Sequence, residues 1–282
     1  MVFRKLLIMI ATCIFAAAIF TGCGDEQEPA ASKDSTKIGM LKYLNASEND
    51  FQEFMTKVSD KFSLKIATHA PVFYDSLNTM QMALESGKIN EISTYQCVAR
   101  YMMAHNPKVE ILANHTMEFI DAFCLAMRAE DKELQTAADN AIKEMRSDGT
   151  IEKLVQQYIT NIANDAEPPA VEIAHIDGAE TIKVAVTGDL PPLDLINANG
   201  QPAGFNTALL AELSKRLNKN VEILQIESGA RLTALTSKKA DMVFWAIVPV
   251  SEIIPANADK PDEIILTSPY YKDKAVHLAI KK

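Results

Sequence analysis

Only Leu190 separates Asp189 from the Pro191-Pro192 turn, which follows the apolar strand pattern of Ile182 to Thr187. Parallel α/β sheets place ligands at the C-terminal ends of their strands. A carboxylate there could receive a cationic group, or it could cap the turn. Asp189 and Glu227 are also the two acids that a cleft enzyme could use, if burial raised the pKa of one of them. The five histidines (His69, His105, His115, His175, His277) show no metal-ligand spacing such as H-x-x-x-H, so neither a metal nor a cofactor is expected. No G-x-S-x-G elbow or phosphate loop appears. The chemistry on offer is recognition rather than catalysis, and the protein is read as not an enzyme.

Recognition needs a scaffold, and the chain shows one twice. Ala83-Leu84-Glu85-Ser86-Gly87-Lys88-Ile89-Asn90-Glu91-Ile92 is echoed 151 positions later by Ala234-Leu235-Thr236-Ser237-Lys238-Lys239-Ala240-Asp241-Met242-Val243. Each copy reads as a helix end, a polar turn and the start of a strand. Strands and helices alternate with short connections on both sides of a break at 161–180, where Pro168-Pro169 and scattered acids mark a linker or a surface-hugging connection. This order predicts two α/β lobes with largely parallel sheets and a small-molecule cleft between them.

Residues 1–22 lie outside the predicted fold. Arg4 and Lys5 precede an apolar run, Leu6 to Phe20, too short for a membrane span and suited to an export signal. Thr21-Gly22-Cys23 resembles a bacterial lipobox, with Phe20 where leucine is usual, so Cys23 is the expected lipidation site. Residues 23–36 then form a polar tether. This predicts a protein anchored at the extracytoplasmic face of the cell membrane. Without residues 1–22 the basic residues fall from 28 to 26 against 37 acids, a net charge of about −11. That balance, with no basic block, speaks against a nucleic-acid partner. Cys97 and Cys124 are the thiols left for the folded part, readable as two buried free cysteines or as one bridge.

The segments "IKVAVTGDLPPLDLINANGQPAGFNTALLAELSKRLNKNVEIL", "LTALTSKKADMVFWAIVP" and "ILTSPYYKDKAVHLAIKK" of the second half resemble the first lobe of the amino-acid-type extracellular solute-binding proteins, family 3. "KIGMLKYLNASENDFQEF", "MALESGKINEISTYQCVARYMMAHNP" and "FCLAMRAEDKELQTAADNAIKEMRSDGTIEKLVQQYI" of the first half resemble the same family's second lobe. The order is reversed. The resemblance therefore implies a circularly permuted, two-lobed periplasmic-binding-protein-like (type II) α/β fold. Residues 37–122 plus 275–282 would form a discontinuous lobe two, and 128–271, with the linker 161–180, would form lobe one. It further implies a monomeric receptor that passes a small solute to an ABC permease, or a sensory receptor of the same fold.

In that family an arginine and helix-start N–H groups hold a ligand α-carboxylate, and an acid holds the α-ammonium. Position by position, the arginine falls at Ile253 and the acid at Tyr95. The aromatic that covers the ligand falls at Ser228, and the aromatic before the Pro-Pro turn at Leu190. The helix-start anion site survives as Asn45-Ala46-Ser47. Arg231, three residues after Ser228, could replace the lost anchor or be an ordinary surface arginine. Trp245, the one tryptophan, could stack on a ligand or belong to the core. The candidate ligand-binding residues are thus Asp189, Leu190, Ser228, Arg231, Trp245, Asn45, Ser47 and Tyr95.

Overall fold

The computed structural model describes residues 35–44, 69–113, 119–161, 166–251 and 256–281. Asn45, Ser47, Cys23, the export signal and the position of Ile253 lie outside these residues. The first part of the chain runs β1 (Thr36–Leu41), β2 (His69–Tyr74), α1 (Leu77–Glu85), β3 (Glu91–Tyr95), α2 (Gln96–His105) and β4 (Val109–Ile111). The apolar strand β5 (Ile120–Arg128) leads to α3 (Lys132–Ser147) and α4 (Thr150–Val155), which runs on as a π turn, Gln156–Thr160. The second part runs β6 (Thr181–Val186), β7 (Asp189–Leu190), β8 (Asp194–Ile196), β9 (Pro202–Ala203), α5 (Phe205–Leu217), β10 (Asn220–Gln225), α6 (Arg231–Thr236), β11 (Met242–Pro249), β12 (Ile264–Leu266) and β13 (Tyr271–Ile280). Helical spacing decides what each helix buries: α3 turns Ala138, Ala141, Ile142 and Met145 inward, worth about 1.5–3 kcal/mol for each large side chain.

One sheet curls through the whole, in the order β10-β6-β11-β5-β13-β3-β1-β2, with β12 on β5 and β4 on β13. Parallel pairing is confined to its two ends, β10-β6-β11 and β3-β1-β2. The middle is antiparallel, against the expectation of largely parallel sheets, because β5 and β13 run against their neighbours there. β13 changes partner midway. Tyr271 to Lys274 pair with β5, and Ala275 to Leu278 pair with β3.

The sequence echo is also a structural one. After α1, Gly87 takes φ 73° and Ile89 N returns to Ala83 O; after α6, Lys238 takes φ 60° and Ala240 N returns to Ala234 O. Asn90 then bonds Lys37 in both directions, as Asp241 does Lys183. Lysine in the left-handed turn costs roughly 1–2 kcal/mol that glycine avoids. The connection before β6 hugs the surface: Asn220 exchanges hydrogen bonds with Ile176, and Val171 N donates to Pro202 O. Cys97 and Cys124 are both buried and unbridged.

Candidate functional site

β11 is bulged. Val243 pairs with Ala126 but Ala246 with Cys124, so Phe244 and Trp245 together face Leu125, and Trp245 takes φ 63°. A bulge frees backbone groups from the ladder and redirects a side chain. The freed groups find partners elsewhere: Leu125 N donates to Thr267 Oγ1 and Trp245 N to the Tyr270 hydroxyl. The two freed carbonyls meet Arg231, whose Nη1 donates to Phe244 O at 3.2 Å and to Trp245 O at 2.5 Å.

Arg231 is fully buried. Its Nε donates to Ser228 O and its Nη2 to Lys42 O, just past β1 at the other end of the sheet, each at 3.0 Å. The guanidinium carbon lies 4.5 Å from the centre of the Trp245 ring. Burial lowers the Arg231 pKa from its ordinary value, and four carbonyl oxygens compensate the buried charge. In this conformation the guanidinium braces the Trp245 bulge and ties it to β1, and its donors are committed to backbone rather than to a carboxylate.

Beside this brace lies a cavity of about 20 Å³, lined by Leu41, Tyr43, Ser93, Thr94, Tyr95, Asp121, Trp245 and Ala275. That is room for one water, which needs about 10–15 Å³. The wall draws on β1, β3, β5, β11 and β13, so both ends of the sheet contribute. Tyr95 donates its hydroxyl to Asp121 Oδ2 at 3.2 Å and stands edge-on to Phe123 and Trp245. Burial, followed by the Asp259 charge, pushes the Asp121 carboxyl up to about 6 against the opposing pull of Tyr95. Burial likewise drives the Tyr43 and Tyr95 hydroxyls above their usual range. Trp245 Nε1 is buried with no acceptor at hydrogen-bonding geometry, although the indole does lower the Tyr95 pKa and so faces that oxygen.

Of the residues expected to bind ligand, Tyr95 and Trp245 line this cavity. Asp189, Leu190, Ser228 and Arg231 do not. Asp189 Oδ2 accepts from Leu77 N at 2.7 Å, at the positive start of α1, while burial raises its carboxyl to about 6. Leu190 is buried in the main core. Ser228 grips the end of β2: its N donates to Asp75 O at 3.0 Å, and its Oγ reaches Tyr74 O and Asp75 O. A Cβ on the neighbouring Gly229 would fall 2.4 Å from Asp75 Oδ1 and 2.7 Å from Lys42 Cδ, so glycine permits this approach. Glu227 flanks the same contact.

Sequence reasoning missed Asp121, Tyr43 and Asp259. Asp121 left one signal, a lone acid near the start of the apolar run AFCLAM. Among the described residues no group of three or more His, Cys, Asp or Glu could hold a metal, and no helix is long and apolar enough to cross a membrane.

Residues 182–281 match the family described as bacterial extracellular solute-binding proteins, family 3. ABC transporter arginine-binding protein 1 of Escherichia coli (strain K12) is 27% identical over 103 residues, 36% of this chain and 40% of that protein. The chain thus spans less than half the length of that relative. Among solved structures, one described as "The crystal structure of Tv2483 bound to L-arginine" aligns over 88% of this chain and 79% of that one, at 14% identity and a TM-score of 0.44. A ligand-binding component of an ABC-type import system from Staphylococcus aureus, with zinc bound, aligns over 88% and 66%, at 12% identity and a TM-score of 0.43.

Proposed function

We propose that this chain, whose residues 182–281 carry the family-3 solute-binding segment, is the solute receptor of an ABC importer. It is exported, held to the membrane through a lipid on Cys23, and binds an amino acid or a related small polar compound between its two lobes as a monomer. The observation that carries this reading is the aromatic and carboxylate cavity formed jointly by the two ends of the sheet. A site walled from both sides can couple occupancy to the lobes' relative position, which is how a receptor signals a loaded state to its permease.

The reversed order of the lobes is part of the proposal. Lobe two is 37–122 with the end of β13 (275–282), and lobe one is 128–271. At β3, Leu278 of β13 lies on one side of Ile92 and Gly39 of β1 on the other. β13 runs antiparallel to β3 and β1 parallel to it. The end of β13 and the start of β1 are therefore about 10 Å apart, two strand spacings. A few residues would join them, so opening the chain there and linking through 161–180 requires no change of fold.

Two measurements test the proposal. Melting of the purified full-length protein is followed with amino acids, amines, peptides and small carboxylates; one class is expected to raise the melting temperature. Radiolabelled fatty acid fed to expressing cells should enter the wild type and not Cys23→Ser. Labelling that persists in Cys23→Ser removes the anchor, and a melt that no class shifts removes the receptor.

A further inference from the structure

On the premise that this is a solute receptor, we infer that the cavity at Tyr43, Tyr95, Asp121 and Trp245 takes a compact organic cation bearing an oxygen acceptor, with Asp121 as its counter-ion. Asp121 accepts from the Tyr95 hydroxyl, and among the described residues no cation pairs with it. Arg231, the one fully buried cation among the described residues, has its donors on four backbone carbonyls. Asp259 adds a second negative charge to the surroundings of Asp121. The rings supply the rest of an ammonium site: Trp245 lies 6.2 Å from Tyr43 and 6.0 Å from Tyr95, centre to centre, the second pair at 87°. Cations settle against such faces, and one face of Trp245 already carries the Arg231 guanidinium at 4.5 Å.

The acceptor on the ligand follows from a different observation. Trp245, a residue only 2% exposed, lines the cavity, and its Nε1 faces the Tyr95 oxygen without making a hydrogen bond to it or to any other acceptor. Buried N–H groups are almost always satisfied, so a ligand oxygen there completes the site. A cation next to Asp121 also restores the ionised carboxylate, which burial and Asp259 disfavour. The cavity holds one water as it stands, so the cation enters as the lobes part and is enclosed as they close.

Calorimetric titration of the full-length protein, with the emission of its single tryptophan as a second signal, tests this against choline, ethanolamine, tetramethylammonium, acetate and L-glutamate. Choline or ethanolamine should bind and shift the emission. Acetate should not bind, and tetramethylammonium, lacking the oxygen, should bind about tenfold more weakly than choline. Asp121→Asn should weaken amine binding about thirtyfold or more, and Tyr95→Phe less, with both variants melting cooperatively. Should Asp121→Asn not fold, the choline to tetramethylammonium ratio in the wild type still decides. L-glutamate binding without any amine binding overturns the cation assignment and leaves the receptor standing, as does amine binding unchanged in folded Asp121→Asn. If no solute of any class binds, the receptor reading falls with it.

Discussion

Replacing Arg231 with alanine separates a structural brace from a ligand anchor. The wild-type guanidinium makes four hydrogen bonds of 2.5–3.2 Å, to Ser228 O, Phe244 O, Trp245 O and Lys42 O. A bond from a charged donor is worth about 1.5–3 kcal/mol, giving about 6–12 kcal/mol in all. Returning the guanidinium to water recovers several kcal/mol, so the net loss is about 3–5 kcal/mol, the usual result of removing one side of a buried charged network. For a domain of this size each kcal/mol moves the melting temperature by about 2–4 °C, which predicts a fall of roughly 6–20 °C without any solute present. Scanning calorimetry reads the fall. Emission from Trp245 should shift to the red as the bulge loses the support that holds φ at 63°. Arg231→Lys should lose most of the same stability, because an ammonium cannot span four carbonyls. A melting temperature within about 3 °C of wild type would refute the brace. Solute affinity lost without any change in melting would instead make Arg231 the carboxylate anchor.

Other consequences are smaller in scope. Asp121 titrates near 6 in the folded state against about 3.9 unfolded, so the native form holds the proton more tightly. Its contribution to stability is greatest below pH 4 and is lost as the pH rises from 4 to 6, by about 2–3 kcal/mol at most. Asp121→Asn should flatten that part of the urea-denaturation profile, and an unchanged profile contradicts the shift. Gly229→Ala drives a Cβ against Asp75 and Lys42 and should cost about 1–3 kcal/mol of the contact between these segments. The check is a lower melting point together with a larger radius of gyration by X-ray scattering. Asp189→Ala strips the start of α1 of its carboxylate and should cost about 1–2 kcal/mol. Amide exchange at 77–80 should speed up, and exchange at the wild-type rate counts against the cap. A chain rebuilt with 181–282 ahead of 35–160 should fold to the same far-ultraviolet spectrum, since the end of β13 and the start of β1 flank β3 about 10 Å apart. A molten product would contradict the permuted reading.

Much of this architecture could be read from local pattern. The echo at 83–92 and 234–243 marked two equivalent turns down to the left-handed residue, Gly87 in one and Lys238 in the other. Helix and strand positions followed apolar periodicity, and the extent of β13 was evident from the run after Ser268-Pro269-Tyr270. The antiparallel middle of the sheet was not legible, because β5 and β13 are ordinary apolar runs whose direction is set by where the chain must go. The site was the least legible part. Arg231 read as a ligand anchor or a surface residue because arginines seldom lie fully buried, and the bulge in β11 supplies two of the four carbonyls that make its burial tolerable. No residue-level rule announces such a bulge at Phe244-Trp245. Asp121 was passed over because one acid at the start of a buried strand has no motif; the tyrosine that meets it lies 26 positions away. Asp189 was placed at the correct strand end, but its carboxylate serves the start of α1 across the molecule.

The central claim, that this chain is a receptor for a small solute, is tested most directly by the melt of the full-length protein across a panel of amino acids, amines, peptides, nucleosides and small carboxylates. A ligand present at one hundred times its dissociation constant stabilises the folded state by about 2.7 kcal/mol. A receptor should therefore gain roughly 5–11 °C with one chemical class and nothing with the others. Melting curves that superimpose for every class would contradict the claim.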